Sequence, residues 1–311
     1  MMDYKILSYG ALPREGRAGI LISGDIFDAE SLTGNANYRS TLAILEDWPN
    51  AASAIDAAAT QPSSASRVHH VDAVQLLAPI LFPGAYFCAA ANYRDHSLAM
   101  AKSFGRPPEP DPRTQGIKPF HFVKSAKQAT IGPREDFEAP HHGEQLDWEI
   151  ELAAVIGRPC KRVPVTAALE YVAGYTVSND LSIRDRAFMR RPNVSENSPF
   201  NTDFIGIKGF DKSVILGPWI TPAAQIGDPA DLGMKLWIGE ELMQNSNTSQ
   251  MMFSVAEQIA YLSECITLLP GDVVLTGTPA GTGMEQGRFL KKGETIRMWI
   301  ENIGETRNTV L

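Results

Sequence analysis

The chain has 311 residues, 44% apolar and 21% charged, which is typical of a globular protein that buries a large core. Its net charge of −8 argues against a nucleic-acid partner, because such partners require a basic surface. Three widely spaced cysteines (Cys88, Cys160 and Cys265) form no CxxC pair, which argues against a disulfide framework or a zinc ribbon. We therefore expect a reducing, cytoplasmic location.

The sequence also gives no indication of a membrane partner. No run of about 18 apolar residues occurs, and the first residues carry charges without an apolar signal segment.

The N-terminal part combines short strands with a helical region. Residues 3–28 read as strands, with Gly24-Asp25 typical of a hairpin turn. Residues 38–60 look helical with a break at 48–50, and the Ser/Ala-rich stretch that follows reads as a connector. We predict a small N-terminal domain and connector at 1–75, followed by a catalytic domain at 76–311.

The rest of the chain is dominated by predicted strands. Short apolar runs alternate with Gly/Pro turns, and only 165–171 and 253–264 look helical. The pattern predicts a mainly β fold with some α rather than a doubly wound sheet.

The stretch LDWEIELAAVIG, residues 146–157, alternates apolar and polar residues as a strand does. It places Glu149 and Glu151 on one face, roughly 7 Å apart between Cα atoms, where like charges repel. A solvated face is the commoner explanation, and a bound Mg²⁺, Mn²⁺ or Ca²⁺ is the alternative. Asp180 ends the next predicted strand and could join the pair, although a turn former or helix N-cap is the commoner explanation for this residue alone.

Four further basic residues have both a catalytic and an ordinary interpretation. In NYRDH, His96 could be a base and Arg94 a cation, or the segment could start a helix capped by Asp95. Lys124 and Lys208 follow apolar segments, and each could equally be a solvated surface lysine.

Two loops and one arginine complete the candidates. The Gly-rich stretch 268–283 exposes backbone N–H groups and the hydroxyl of Thr278, which could hold an anion, although a plain turn is common there. It matches neither a Walker A loop nor a GxGxxG fingerprint. Arg184 could place a distal substrate group or form a structural ion pair. The polar stretch 189–201 reads as a loop at a cleft mouth, or as a solvated loop.

Together these segments resemble the fumarylacetoacetate hydrolase superfamily. The resemblance covers residue 82 to the C-terminus and rests on the motifs FCAAANYRDH, FHFVKSAKQATIGP, LDWEIELAAVIGR, VAGYTVSNDLSIRDR, GIKGFDKSVILGPWI and MMFSVAEQIAYLSECITLLPGDVVLTGTPAGTG. It implies a mixed β-sandwich or β-roll with a small N-terminal β domain, a homodimer, and a Mg²⁺-type ion in a cleft, with Mn²⁺ or Ca²⁺ as alternatives.

The resemblance also implies roles for individual residues. Metal ligands fall on Glu149, Glu151 and Asp180, catalytic roles on His96 and Lys208, and substrate binding on Arg94, Lys124, Arg184 and Thr278. One position departs from the family pattern, because Ala99 stands where many members place the glutamate that pairs with the histidine.

Family substrates imply a small-molecule 2-oxo acid partner. We predict metal-dependent hydrolysis of a C–C bond in a 2,4-dioxo acid, such as an acylpyruvate or fumarylpyruvate, in a catabolic pathway. The alternatives are an oxaloacetate-type decarboxylase, a 2-hydroxydienoate isomerase or tautomerase, and a metal-binding relative without turnover. Decarboxylation and tautomerisation need no activated water, so the Ala99 substitution bears mainly on hydrolysis.

Overall fold

The computed structural model describes residues 2–189, 191, 193–195, 198 and 200–311. Its strands, in chain order, are β1 (Lys5–Tyr9), β2 (Arg17–Ile22), β3 (Asp25–Asp28), β4 (Arg67–His70), β5 (Leu76–Leu77), β6 (Tyr86–Ala89), β7 (His121–Lys124), β8 (Thr130–Ile131), β9 (Leu146–Asp147), β10 (Ile150–Ile156), β11 (Val172–Asp180), β12 (Ser182–Ile183), β13 (Val214–Pro222), β14 (Gly233–Ile238), β15 (Glu241–Asn247), β16 (Val273–Leu275), β17 (Thr295–Ile300) and β18 (Gly304–Thr309). The mainly β fold with some α is confirmed.

The helices of the described residues lie scattered between the strands. They are α1 (Ala29–Thr33), α2 (Thr41–Glu46), α3 (Trp48–Ala59), α4 (Arg94–Ser103), α5 (Ala126–Ala129), α6 (Arg186–Met189), α7 (Phe204–Lys208), α8 (Val255–Cys265) and α9 (Gly283–Gln286). Within the described part of the chain, no helix is long and apolar enough to cross a membrane.

A 12-stranded sheet forms the centre of the molecule. Its order is β4-β3-β2-β1-β13-β11-β10-β16-β6-β7, with β5 paired to β1 and β8 to β13. A four-stranded sheet, β15-β14-β17-β18, and the short pair β12-β9 accompany it. The N-terminal strands join the large sheet where Ile6 pairs with Ile220. The domain boundary near residue 75 stays a prediction.

Two apolar clusters cover β10 on opposite faces. Leu152 belongs to a cluster that includes α8 and residues of the four-stranded sheet. Ala153 belongs to a second cluster with residues of α2 and α3. Because β10 is covered on both sides, every residue of the strand is buried.

The interpretation of LDWEIE as a strand with one solvated face is therefore wrong. Glu149 is 5% exposed and Glu151 is 1% exposed. The predicted continuous strand is also interrupted, because β9 ends at Asp147 and β10 begins at Ile150. Buried carboxylates are costly unless they are paired, so this segment needs compensating charges nearby.

The N-terminal hairpin and helices form largely as predicted. β2 and β3 pair across Ser23 and Gly24, which both have positive φ. The helical break falls at Asp47, one residue before the predicted position.

The later helices differ more from the prediction. Val165–Tyr171 is a 3-10 helix, and α8 begins two residues after its predicted start, with Ser254 and Glu257 forming a capping box. α4, of ten residues, is the helix that NYRDH could start, but its N-cap is Tyr93 rather than Asp95.

Candidate metal centre and its surroundings

The antiparallel pairing of β10 and β11 brings three carboxylates to one end of the large sheet. Glu151 lies opposite Ser178, and Ile150 lies opposite Asn179. Asp180, two residues beyond Ser178, therefore shares a face with Glu151. The Asp180 N–H donates to the Glu149 carbonyl oxygen at 3.0 Å, which places Glu149 beside them.

Glu149, Glu151 and Asp180 each offer a carboxylate oxygen, and these atoms lie within 4.8 Å of one another. All three residues are buried. Glu151 Oε2 accepts from the Gly277 N–H at 2.7 Å, while Glu151 Oε1 has no hydrogen-bond partner among the described residues. A buried, unpartnered carboxylate oxygen beside two others fits a hard divalent cation such as Mg²⁺ or Mn²⁺. The expected ligands are thus brought together.

Two buried lysines and the partly buried Arg184 surround this carboxylate cluster. The Lys208 ammonium donates to Glu149 Oε2 at 2.7 Å and to Asp180 Oδ2 at 2.6 Å. Lys124 Nζ contacts Asp180 Oδ1, and Arg184 Nη2 contacts Glu149 Oε1. Neither lysine is the solvated surface residue that the alternative interpretation assumed.

The pKa values of Glu149 and Glu151 are shifted in opposite directions. Burial raises the pKa of Glu149, but Lys208 and Arg184 outweigh it and lower that pKa to about 2. Burial, with Asp180 and Glu149 beside it, raises the pKa of Glu151 well above its usual range. An added cation would therefore favour the ionised form of Glu151.

His96 lies on α4 and has an acidic partner that the sequence did not reveal. Its Nδ1 contacts Glu285 Oε1, and Glu285 Oε2 accepts from the Gly281 N–H at 2.5 Å. Glu285 lies on α9, 189 residues from His96 in the chain. It provides an acidic contact to His96 that Ala99, one turn further along α4, cannot provide. No local motif links two residues so far apart.

Two other buried polar residues contact the site, although the sequence interpretation gave them no role. Asp147 accepts from Arg184 Nε at 3.0 Å, and also from two N–H groups of α9. Gln244, on β15, donates to Thr278 Oγ1 at 2.9 Å and to the Pro279 carbonyl at 2.8 Å. The strand alternation did place Asp147 beside the glutamates, whereas nothing in the sequence connected Gln244 with the Gly-rich loop.

The site has two halves, the carboxylate cluster and the His96–Glu285 pair. A cavity of about 130 Å³ is lined by residues of both halves. Its polar lining residues are His96, Arg184, Lys208, Glu149 and Thr278. Its apolar lining residues are Ala89, Ala90, Ala91, Met100 and Phe122. A larger cavity of about 460 Å³ lies elsewhere, around His141, His142 and Leu311, and it lacks the carboxylate cluster.

Two of the expected substrate-binding residues do not line the site cavity. Lys124 is fully buried, with its ammonium donating to the carbonyl oxygens of Leu181 and Ser213. Arg94 donates to the Met251 carbonyl at 2.9 Å, and its side chain is 42% exposed. Their roles in substrate binding stay predictions. So does the cleft-mouth loop at 189–201, since residues 190, 192, 196, 197 and 199 lie outside the described part of the chain.

Comparison with known proteins identifies the family. Residues 85–311 match the family model described as fumarylacetoacetate (FAA) hydrolase C-terminal. A mitochondrial oxaloacetate tautomerase of Bos taurus is 36% identical over 240 residues, covering 76% of this chain and 70% of the relative. The chain therefore belongs to the fumarylacetoacetate hydrolase family.

Solved structures agree on the fold and extend it to the N-terminal region. Maleylpyruvate hydrolase from Sphingobium sp. SYK-6, in complex with manganese (II) and pyruvate, is 27% identical with a TM-score of 0.74, covering 99% of this chain and 98% of that one. The 2-hydroxyhepta-2,4-diene-1,7-dioate isomerase from Mycobacterium marinum is 27% identical with a TM-score of 0.68, covering 100% and 98%. These relatives are enzymes of three reaction types.

Proposed function

We propose that the protein is a divalent-metal-dependent hydrolase that cleaves a C–C bond in a 2,4-dioxo acid of the acylpyruvate or fumarylpyruvate kind. One observation carries the proposal: the same small cavity is lined by Glu149 of the carboxylate cluster and by His96 paired with Glu285. Hydrolysis needs an activated water as well as an electrophile-binding centre, and this site has groups suited to both.

Glu149, Glu151 and Asp180 would hold Mg²⁺ or Mn²⁺. When bound, such an ion supplies Lewis-acid polarisation of a 2-oxo oxygen. The maleylpyruvate hydrolase relative, whose structure contains manganese and pyruvate, supports this choice of ion and of substrate class.

His96 is suited to act as the general base. When Glu285 accepts a hydrogen bond from Nδ1–H, the ring is held in the tautomer whose Nε2 can accept a proton from water. The resulting hydroxide adds to the distal carbonyl carbon, and the bond between that carbon and C3 of the pyruvate part breaks. The proton held on His96 then goes to C3. The products are a carboxylic acid and pyruvate, so one water is consumed for each bond cleaved.

Lys208 and Thr278 are suited to bind the 2-oxo acid end of the substrate. The Lys208 ammonium lies at the carboxylate cluster and would stabilise negative charge on a 2-oxo oxygen bound there. Thr278 lines the same cavity, and Gln244 holds its hydroxyl oxygen by donating to it. That bond leaves the Thr278 hydroxyl proton available to a substrate carboxylate.

A tautomerase is the second candidate, and the bovine oxaloacetate tautomerase favours it. The same groups could move a proton between the carbon and oxygen of a 2-oxo acid without water attack. In that reaction the His96–Glu285 pair would carry the proton, and no C–C bond would break.

Product analysis separates the candidates. The protein with Mg²⁺ or Mn²⁺ is incubated with acetylpyruvate, fumarylpyruvate and oxaloacetate. Hydrolysis gives an acid plus pyruvate, decarboxylation gives CO₂, and tautomerisation changes the enol absorbance without cleavage. Carboxylic acid and pyruvate in equal amounts are expected. Turnover of oxaloacetate alone, without cleavage of either dioxo acid, would replace the hydrolase with one of the other candidates.

A variant pair tests the site assignment. Glu149→Gln is expected to abolish metal-dependent turnover, while Glu144→Gln, an exposed glutamate five residues earlier, retains it. Unchanged activity in the Glu149 variant would contradict the proposed centre. We further propose a homodimer, which light scattering coupled to gel filtration measures directly.

A further inference from the structure

Asp147 is a buried carboxylate that the proposed reaction does not use. Its side chain is 0% exposed, and it lies in β9, two residues before Glu149. Its carboxylate oxygens accept hydrogen bonds from two N–H groups of α9, from Arg184 and from the adjacent Trp148 N–H. A charge so deeply buried is retained only where several donors compensate it.

One set of these bonds reaches α9, the helix that carries Glu285. Asp147 Oδ1 accepts from the Gly283 N–H at 2.6 Å, and Oδ2 accepts from the Met284 N–H at 3.1 Å. The approach is close enough that a Cβ at Gly283 would lie 2.7 Å from Asp147 Oδ1 and 2.1 Å from the Arg288 carbonyl oxygen. The carboxylate therefore fixes the start of α9, and with it the position from which Glu285 meets His96.

A further bond connects Asp147 with the carboxylate cluster through Arg184. Arg184 Nε donates to Asp147 Oδ2 at 3.0 Å, and Nη2 of the same guanidinium contacts Glu149 Oε1. The planar guanidinium is thus held between two carboxylates, only one of which belongs to the cluster. Without Asp147, Arg184 would be free to pair with Glu149 alone and to compete more strongly with a cation there.

We propose that Asp147 is a positioning residue that couples the two halves of the site, setting Arg184 on Glu149 and placing Glu285 against His96. The effect that this coupling would have on turnover rests on the proposed function. The coupling itself does not. The structural coupling has readouts of its own in the metal-free protein and in metal binding.

Asp147→Asn tests both connections at once, because the amide keeps the shape of the side chain but removes its charge and one acceptor. Mn²⁺ affinity, measured by titration calorimetry, is expected to fall about tenfold, the usual size of such an effect for a group that orients a metal ligand. The His96 imidazole resonances in ¹⁵N spectra of the metal-free protein, assigned with His96→Gln, are expected to shift in the same direction as in Glu285→Gln.

Asp272→Asn is the matched control. Asp272 is also a buried aspartate, 6% exposed, and it accepts from the Leu269 N–H at 2.8 Å. Asp272→Asn is expected to reduce stability alone and to leave the His96 resonances and the Mn²⁺ affinity unchanged. The inference is overturned if Asp147→Asn and Asp272→Asn behave alike.

Met284→Pro separates the two connections and also serves if Asp147→Asn does not fold. It removes the N–H that donates to Asp147 Oδ2 but leaves the Arg184 bond intact. Proline is tolerated in the first turn of a helix, as Pro49 is at the second residue of α3. The His96 resonances are expected to shift while Mn²⁺ affinity stays within about twofold. Unshifted His96 resonances in this variant would refute the coupling.

Failure of the proposed function would look different. A wild-type protein that turns over no dioxo acid, yet shows the Asp147-dependent shifts in His96 and in Mn²⁺ affinity, supports the coupling while removing the hydrolase. An active wild-type protein whose Asp147 variant shows neither shift supports the hydrolase and removes the coupling.

Discussion

Replacing Glu151 with glutamine should separate metal binding from folding, because its effects on the two have opposite signs. In the metal-free protein, burial and the neighbouring Asp180 and Glu149 raise the pKa of Glu151 well above its usual range, so its ionised form is costly. A neutral amide removes that cost and can still accept from the Gly277 N–H. Metal-free Glu151→Gln is therefore expected to be at least as stable as the wild type.

The metal-dependent effect can be estimated from mass action. A ligand at 100 times its Kd stabilises the folded state by about 2.7 kcal/mol. The 311 residues, at about 2.1 cal/mol/K each, give an unfolding entropy of roughly 0.65 kcal/mol/K. Dividing the first figure by the second predicts that saturating Mn²⁺ raises the wild-type Tm by about 4 °C. Glu151→Gln lacks one of the three carboxylates and should show little or no rise.

Differential scanning calorimetry of metal-free protein, with and without Mn²⁺, measures both quantities. Glu144→Gln is the control, because it removes an exposed glutamate and should keep the wild-type rise. Equal Mn²⁺-induced shifts in wild type and Glu151→Gln would show that the ion binds elsewhere. A metal-free variant clearly less stable than the wild type would refute the argument from burial.

Three further predictions follow from the surroundings of the centre. Glu285→Gln should lower kcat roughly 10- to 100-fold with KM nearly unchanged, because His96 loses the partner that orients it; steady-state kinetics that show a changed KM alone would contradict this. Lys124→Met should cost about 3 kcal/mol in urea unfolding of the metal-free protein, because Asp180 loses a buried cation, and added Mn²⁺ should recover part of it; no loss of stability would contradict the pairing. Burial lowers the pKa of His121 from 6.5 to about 4, so its contribution to stability is complete above about pH 6.5 and is lost as the pH falls toward 4. Over that interval roughly 2–3 kcal/mol should disappear from the free energy of unfolding, and His121→Gln should flatten that part of the pH profile measured by urea unfolding.

Local pattern was sufficient for much of the fold. The hairpin at Gly24, the helices on either side of Asp47 and the strand around Leu152 all carry short-range signals, namely turn residues and hydrophobic periodicity. The same periodicity could not show that β10 is covered on both faces, because the covering residues come from α2, α3, α8 and the four-stranded sheet.

The carboxylates Glu149 and Glu151 were visible in the sequence because a strand places every second side chain on one face. The alternation alone, however, left a solvated face and a cation site as alternatives, and the resemblance to the family favoured the cation site. The structure excludes the solvated face, because the register between β10 and β11 brings Asp180 beside the two glutamates and all three residues are buried.

The pairing of His96 with Glu285, and the bonds from Asp147 to Arg184 and to α9, were decided by tertiary structure alone. His96 and Glu285 stand 189 residues apart, and neither has a neighbour in sequence that marks it as a partner of the other. Periodicity encodes which face of its own strand or helix a side chain occupies. Which distant element meets that face depends on the packing of the whole chain, and for this protein that packing set the acid beside the histidine.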